Sequence, residues 1–135
     1  GTVKTLRILS YNILKGGVGR ETPLAAVISS CEPDVVILQE AYRPAVVEHL
    51  ATACGFESWA SSQGHSVAFL SRLTIASHVW RRVRWAKRAY LEIVTASDFR
   101  IYGRSICLAA KRRCVSRVEL PSDCSSKSLA TRRSR

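Results

Sequence analysis

Pro33-Asp34-Val35-Val36-Ile37-Leu38-Gln39-Glu40 is the stretch on which the fold turns. Val35 to Leu38 form an unbroken β-branched and aliphatic run, as expected of a short strand covered on both faces. Pro33-Asp34 introduces it and Gln39-Glu40 ends it. A carboxylate at the end of a buried strand is costly to desolvate unless a cation or a hydrogen-bond network compensates it, so Glu40 calls for a partner. Upstream, Leu6 to Tyr11 (LRILSY) is a second short, largely apolar run that ends at Asn12 and meets Lys15-Gly16-Gly17. It reads as a buried strand entering a glycine loop whose backbone amides are available to a ligand. Between the two strands, Thr22-Pro23 supplies a capping residue and a proline at the first helical position. Leu24 to Ile28 then keep apolar helical spacing to about Cys31. Downstream, Val46, Val47, Leu50, Ala51 and Cys54 follow Arg43-Pro44 with helical periodicity, and Gly55 stops that helix.

Strand, helix, strand, helix implies an α/β domain with its first two strands side by side and parallel. Ligands in such domains bind at the carboxyl ends of the strands. Asn12 and Glu40 occupy those ends, so an amide oxygen and a carboxylate oxygen share one crevice. Mg²⁺ or Mn²⁺ takes oxygen ligands of this kind, with water and substrate phosphate completing the shell. Further along, shorter strands are expected at Ser66 to Ser71, Ala76 to Trp80, Ala89 to Thr95 and, after a Ser97-Asp98 turn, Phe99 to Tyr102. Together they read as a meander of hairpins. Beyond Gly103 neither helical nor strand periodicity survives, and the tail is expected to be unstructured.

Hydrophobic residues at 47% and charged residues at 23% exclude a disordered chain, and 135 residues suit one domain. No apolar run approaches the length of a bilayer-spanning helix, and the first residues lack a secretory pattern. With Gly1 first and no methionine, the chain reads as a piece of a longer reading frame. Five cysteines, odd in number and without a C-x-x-C pair, point away from a disulfide framework or zinc knuckle and favour a reducing, cytoplasmic setting. The net charge of +11 suggests an anionic partner, but its distribution qualifies that. Residues 1–103 hold 12 basic and 8 acidic side chains, whereas residues 104–135 hold 9 and 2.

Three ordered segments resemble the signatures of the endonuclease/exonuclease/phosphatase family: Leu6 to Asn12 with its glycine loop, Pro33 to Glu40, and Val67-Ala68-Phe69-Leu70-Ser71-Arg72. The resemblance spans residues 5–103. It implies the N-terminal half of a DNase I-like four-layer α/β sandwich that hydrolyses phosphate esters with a divalent metal, Asn12 and Glu40 serving as metal ligands. Family members also use a His on a later strand, an Asp-Asn pair after a Gly, and an Asp-His pair near the C-terminus. Asp98-Phe99 lacks the flanking Gly and Asn, and Ser122-Asp123 is followed by Cys124, so neither substitutes. The catalytic residues are therefore unassigned. The domain reads as residues 1–103, with residues 104–135 a basic tail, disordered or out of frame after a reading-frame slip near Gly103, a divergent shortened protein being the alternative. A shifted frame from Arg104 permits Phe-His-Leu-Ser, and the encoding DNA tests this. Without a Gly-Asp-Phe-Asn-like or Ser-Asp-His-like segment downstream, the slip is excluded.

Two functions from different classes remain. The first is a fragment of a Mg²⁺-dependent phosphodiesterase or phosphatase, inactive alone, with a phosphate ester or nucleic acid as partner. The second is a non-catalytic nucleic-acid-binding module built on Arg81, Arg82, Arg84, Lys87 and Arg88, interleaved with Trp80 and Trp85. The competing structural reading of that patch is an edge strand protected by its charges. His49 reads as a surface residue, His78 as structural, and His65 as a loop residue outside the site.

Overall fold

A computed structural model describes residues 3–83, 88–98, 100–104, 113–121 and 128–130. Strand β1 (Val3–Asn12) leads through one 3-10 turn (Lys15–Gly17) into helix α1 (Glu21–Cys31), then β2 (Val35–Gln39) and α2 (Pro44–Cys54). Strands β3 (Ser58–Ala60), β4 (Ala68–Ser71), β5 (Ile75–Val83), β6 (Arg88–Thr95) and β7 (Arg100–Arg104) follow. β8 (Arg113–Pro121) and β9 (Ser128–Ala130) come last. β1 and β2 are parallel neighbours, with Ile8 opposite Val35 and Asn12 opposite Gln39, as the strand–helix alternation requires. The first sheet runs β3-β4-β2-β1-β8 and the second β5-β6-β7-β9.

All five residues of β2 are buried because each face has a partner. Val36 and Leu38 pack with Leu9, Leu70, Leu24, Ile28, Val47 and Leu50 beneath the two helices. Val35 and Ile37 pack with Ile8, Phe69, Leu91, Ile93 and Ile101 against the second sheet. The described residues thus form three layers: helices, sheet, sheet. The sheets approach closely at Gly103, where an added Cβ would sit 2.8 Å from Ile37 Cγ2, so only glycine fits without displacement. No helix among the described residues is long and apolar enough to cross a membrane.

Four expectations need correction. β4 does not belong to a meander: it pairs with β2 and β3 in the first sheet, and only β5, β6 and β7 form the meander. The switch occurs at Ser71, whose Oγ accepts from Leu73 N at 2.9 Å, while Arg72 N donates to Asp34 O. β3 went unanticipated because three residues carry no period. Helix α1 starts at Glu21, capped by no side chain, with Arg20 as its flanking residue and Pro23 in its first turn. There a proline's missing N–H costs nothing, because the first four amides of a helix have no helical partner anyway. Finally, the tail is not wholly without structure, since β8 runs antiparallel to β1 from Val3 to Tyr11, and β9 parallel to β7. β1 has a hydrogen-bonding edge that β2 does not use, and backbone pairing needs an extended segment, not a periodic one.

Candidate functional site

The parallel register brings Asn12 and Glu40 to one end of the first sheet, because Asn12 pairs with Gln39 and Glu40 follows directly. Both are half-buried. Glu40 leaves the strand with φ +54, in the left-handed region that costs a non-glycine residue about 1–2 kcal/mol. That conformation breaks strand alternation and carries the carboxylate to the loop after β1. Oε1 accepts from Lys15 N at 3.1 Å, and the Glu40 carbonyl accepts from Gly16 N at 2.9 Å. Asn12 Oδ1 accepts from Leu14 N at 2.9 Å, an Asx turn that fixes the amide.

The glycine loop was expected to offer free backbone amides, and it does not. Leu14 N serves Asn12, Lys15 N and Gly16 N serve Glu40, and Gly17 N donates to Leu14 O at 2.9 Å. The loop's work is to hold the two oxygen-bearing side chains. Gly17 is needed for it, with φ +71 and Leu24 Cδ1 only 2.8 Å from where a Cβ would stand. The Arg20 guanidinium donates to the carbonyls of Ile13 and Leu14 and closes the loop from outside. At the loop's far side, Gly19 N donates to Glu21 Oε1 at 2.7 Å. That amide, with Glu21's own, holds the Glu21 carboxyl below the usual carboxylate range.

Asn12 and Glu40 together offer one amide and one carboxylate oxygen donor, each oriented by a backbone amide and with lone pairs to spare. No cluster of three or more His, Cys, Asp or Glu exists among the described residues. A hard cation that keeps most of its water needs only one or two protein oxygens, so this donor set suits Mg²⁺ or Mn²⁺ and does not suit zinc.

The basic patch divides. Arg81 and Arg82 are consecutive in β5 and so face opposite sides of the second sheet. Arg81 Nε donates to Glu92 Oε2 at 2.6 Å, and Arg100 Nη1 lies 3.3 Å from the other oxygen, so Arg81 already has an anion. That carboxylate, aided by its charge, raises the Arg81 pKa further. Arg82 is exposed. Arg88 pairs with Val83 in the ladder, and Arg84 and Lys87 lie outside the described residues. The strand ends Val83 and Arg88 are nevertheless at the same end as Asn12 and Glu40. Gln39 Nε2 donates to Arg104 O, Arg104 pairs with Tyr90, and Tyr90 pairs with Arg81.

His49 is exposed on α2. His78 is also exposed, and its ring meets the edges of Phe69 and Trp80 at 5.4 and 5.3 Å. His65 stacks on Trp80 at 5.2 Å, and Trp80 Nε1 donates to Val67 O at 2.8 Å. Ala41 N donates to Ser66 O, which brings this stack to the rim near Glu40. A surface pocket lined by Glu57, Ser58, Phe69 and His78 lies towards the other end of the sandwich. The sequence reading also passed over Gln39 and Ser10, joined at 2.8 Å between the sheets. Strand alternation from Ile8 and Ile37 was the signal that could have found them.

No protein-family model and no curated protein sequence matches the chain. Solved structures match it in shape. A humanized TDP2 of D. rerio superposes with TM-score 0.61 at 19% identity, covering 78% of this chain and 49% of that one. D. rerio TDP2 complexed with a single-strand DNA product gives 0.59 at 19% identity, over 81% and 49%. An AP endonuclease from Archaeoglobus fulgidus gives 0.54 at 17% identity, over 72% and 39%. The chain spans about half the length of the first two structures.

Proposed function

We propose, from the premise that this chain carries about half of the DNase I-like fold of the endonuclease/exonuclease/phosphatase superfamily, that it is the metal-holding part of a phosphoesterase acting on nucleic acid. The observation that carries the reading is the pair Asn12 and Glu40, brought to one strand end and held there by the amides of Leu14 and Lys15. Asn12 Oδ1 and Glu40 would hold Mg²⁺ or Mn²⁺. The ion, when bound, supplies charge stabilisation for a phosphoryl oxygen. The chain's own residues orient and exclude. The glycine loop fixes both oxygen donors before a ligand arrives, and Ile13 and Ala41 close the floor behind them as fully buried residues. Such preorganisation avoids rearrangement on binding. Nucleic acid as the substrate class is supported by the DNA product in the similar D. rerio TDP2 structure and by the exposed Arg82 near the end of β5 on the same rim. Turnover needs a group that activates water and one that protonates the leaving oxygen, and Asn12 and Glu40 supply neither.

The test is binding of a fluorescent single-stranded oligonucleotide by the chain, with and without Mg²⁺. Binding strengthened by Mg²⁺ and returned to the metal-free level by Glu40→Gln is expected, without cleavage. The alternative is the basic binding module. Salt-sensitive binding that survives both chelator and Glu40→Gln would establish it in place of the metal reading.

A further inference from the structure

Gln39 is 1% exposed, although its side chain is a primary amide. It lies in register beside Asn12, so the two side chains share the face towards the second sheet, on strands about 4.8 Å apart. Nε2 donates to Ser10 Oγ at 2.8 Å on β1 and to the Arg104 carbonyl at 3.3 Å on β7. The Gln39 carbonyl accepts from Ile13 N at 3.1 Å. One residue therefore ties β1, β2 and β7 across both sheets, immediately before Glu40 in the chain. Its Oε1 is buried with no hydrogen-bond partner among the described residues. The two bonds from Nε2 account for the amide nitrogen, but a buried oxygen without a partner is destabilising, so stability alone does not account for Oε1.

We infer that Gln39 is a positioning residue for the Asn12–Glu40 pair. Its donor nitrogen clamps the two sheets at the height of Asn12, and its free oxygen accepts a hydrogen bond from the water shell that a divalent cation brings. The inference rests on the metal reading proposed above. Partners one shell out from a metal typically change its affinity by about 10- to 100-fold, and an acceptor for bound water acts in that way.

The experiment is Mg²⁺ titration by calorimetry of the full chain, with thermal melting in chelator as the second readout. Gln39→Met should weaken Mg²⁺ binding about tenfold while melting in chelator near the wild-type temperature, because removal of the unsatisfied Oε1 offsets the two bonds that Nε2 gave to Ser10 and Arg104. Wild-type affinity in Gln39→Met overturns the inference, whatever its melting temperature. If Gln39→Met does not fold, Ser10→Ala decides: it removes one acceptor of the clamp, and a roughly threefold loss of affinity supports the inference while none overturns it. Glu40→Gln separates the two levels of the claim. If it leaves Mg²⁺ binding unchanged, the metal reading has failed and takes this inference with it. If it abolishes binding while Gln39→Met has no effect, the inference about Gln39 alone falls.

Discussion

Asp34 and Glu40 bracket the same five-residue strand, and each carboxylate accepts one backbone amide from the neighbourhood of β1. Asp34 Oδ2 takes Arg7 N at 2.8 Å, while its own N–H donates to Arg7 O and its carbonyl accepts from Arg72 N. Every one of those bonds extends the ladder, and the end they close lies beside two arginines, one of which donates Nε to Pro33 O. Glu40 instead stands in the left-handed region, off the ladder, beside an amide oxygen and a glycine loop. The chemistry of the two side chains is the same, but the backbone beneath them differs. The Asp34 carboxylate finishes a strand on regular backbone, and the left-handed conformation of Glu40 beside the glycine loop is what the proposed ligand role rests on.

This contrast can be broken by substitution. The largest effect on stability is expected from Ile37→Ala at the middle of β2, at about 2–5 kcal/mol in urea denaturation, because it empties the seam against Gly103. Asp34→Ala should cost about 1.5–3 kcal/mol for the charged acceptor of Arg7 N, with Mg²⁺ affinity unaltered. Glu40→Gly should change stability by less than about 1 kcal/mol, since relief of the left-handed strain offsets the lost bond from Lys15 N. A loss as large as that of Asp34→Ala would mean that both carboxylates are merely strand caps.

The smallest effect concerns a third carboxylate, Glu21, whose folded pKa is depressed by the Gly19 amide. A depressed carboxyl contributes stability above its unfolded pKa and loses it as pH falls through the folded one. Glu21→Gln should therefore flatten the acid limb of stability while leaving neutral-pH Mg²⁺ binding as it was. A parallel acid limb in the variant would contradict the sign.

Of the first sheet, the parallel pair β1 and β2 was legible because both are short, largely apolar runs that end in polar residues. Val35 to Leu38 could hardly be anything else, and Asn12 and Glu40 were expected at equivalent strand ends, whereas the register of Asn12 with Gln39 came from the structure. The glycine loop was seen but its purpose was inverted, since which way an amide points depends on φ values that Leu14 and Lys15 adopt against their type. The tail's two strands were invisible for a different reason: β8 is recruited by the open edge of β1, and an edge accepts backbone whatever its side chains. Gln39 was quoted within its motif yet passed over. Alternation carries its inward face, but its bond to Arg104, 65 residues away, has no local signal.

The central claim is that Glu40, and not Asp34, is reserved for a cation. The direct measurement is calorimetric titration of Mg²⁺ into the wild-type chain, Glu40→Gln and Asp34→Asn under identical conditions. Saturable binding is expected in the wild type and Asp34→Asn, and binding abolished in Glu40→Gln. Unchanged binding in Glu40→Gln, or equal losses in both variants, would contradict it.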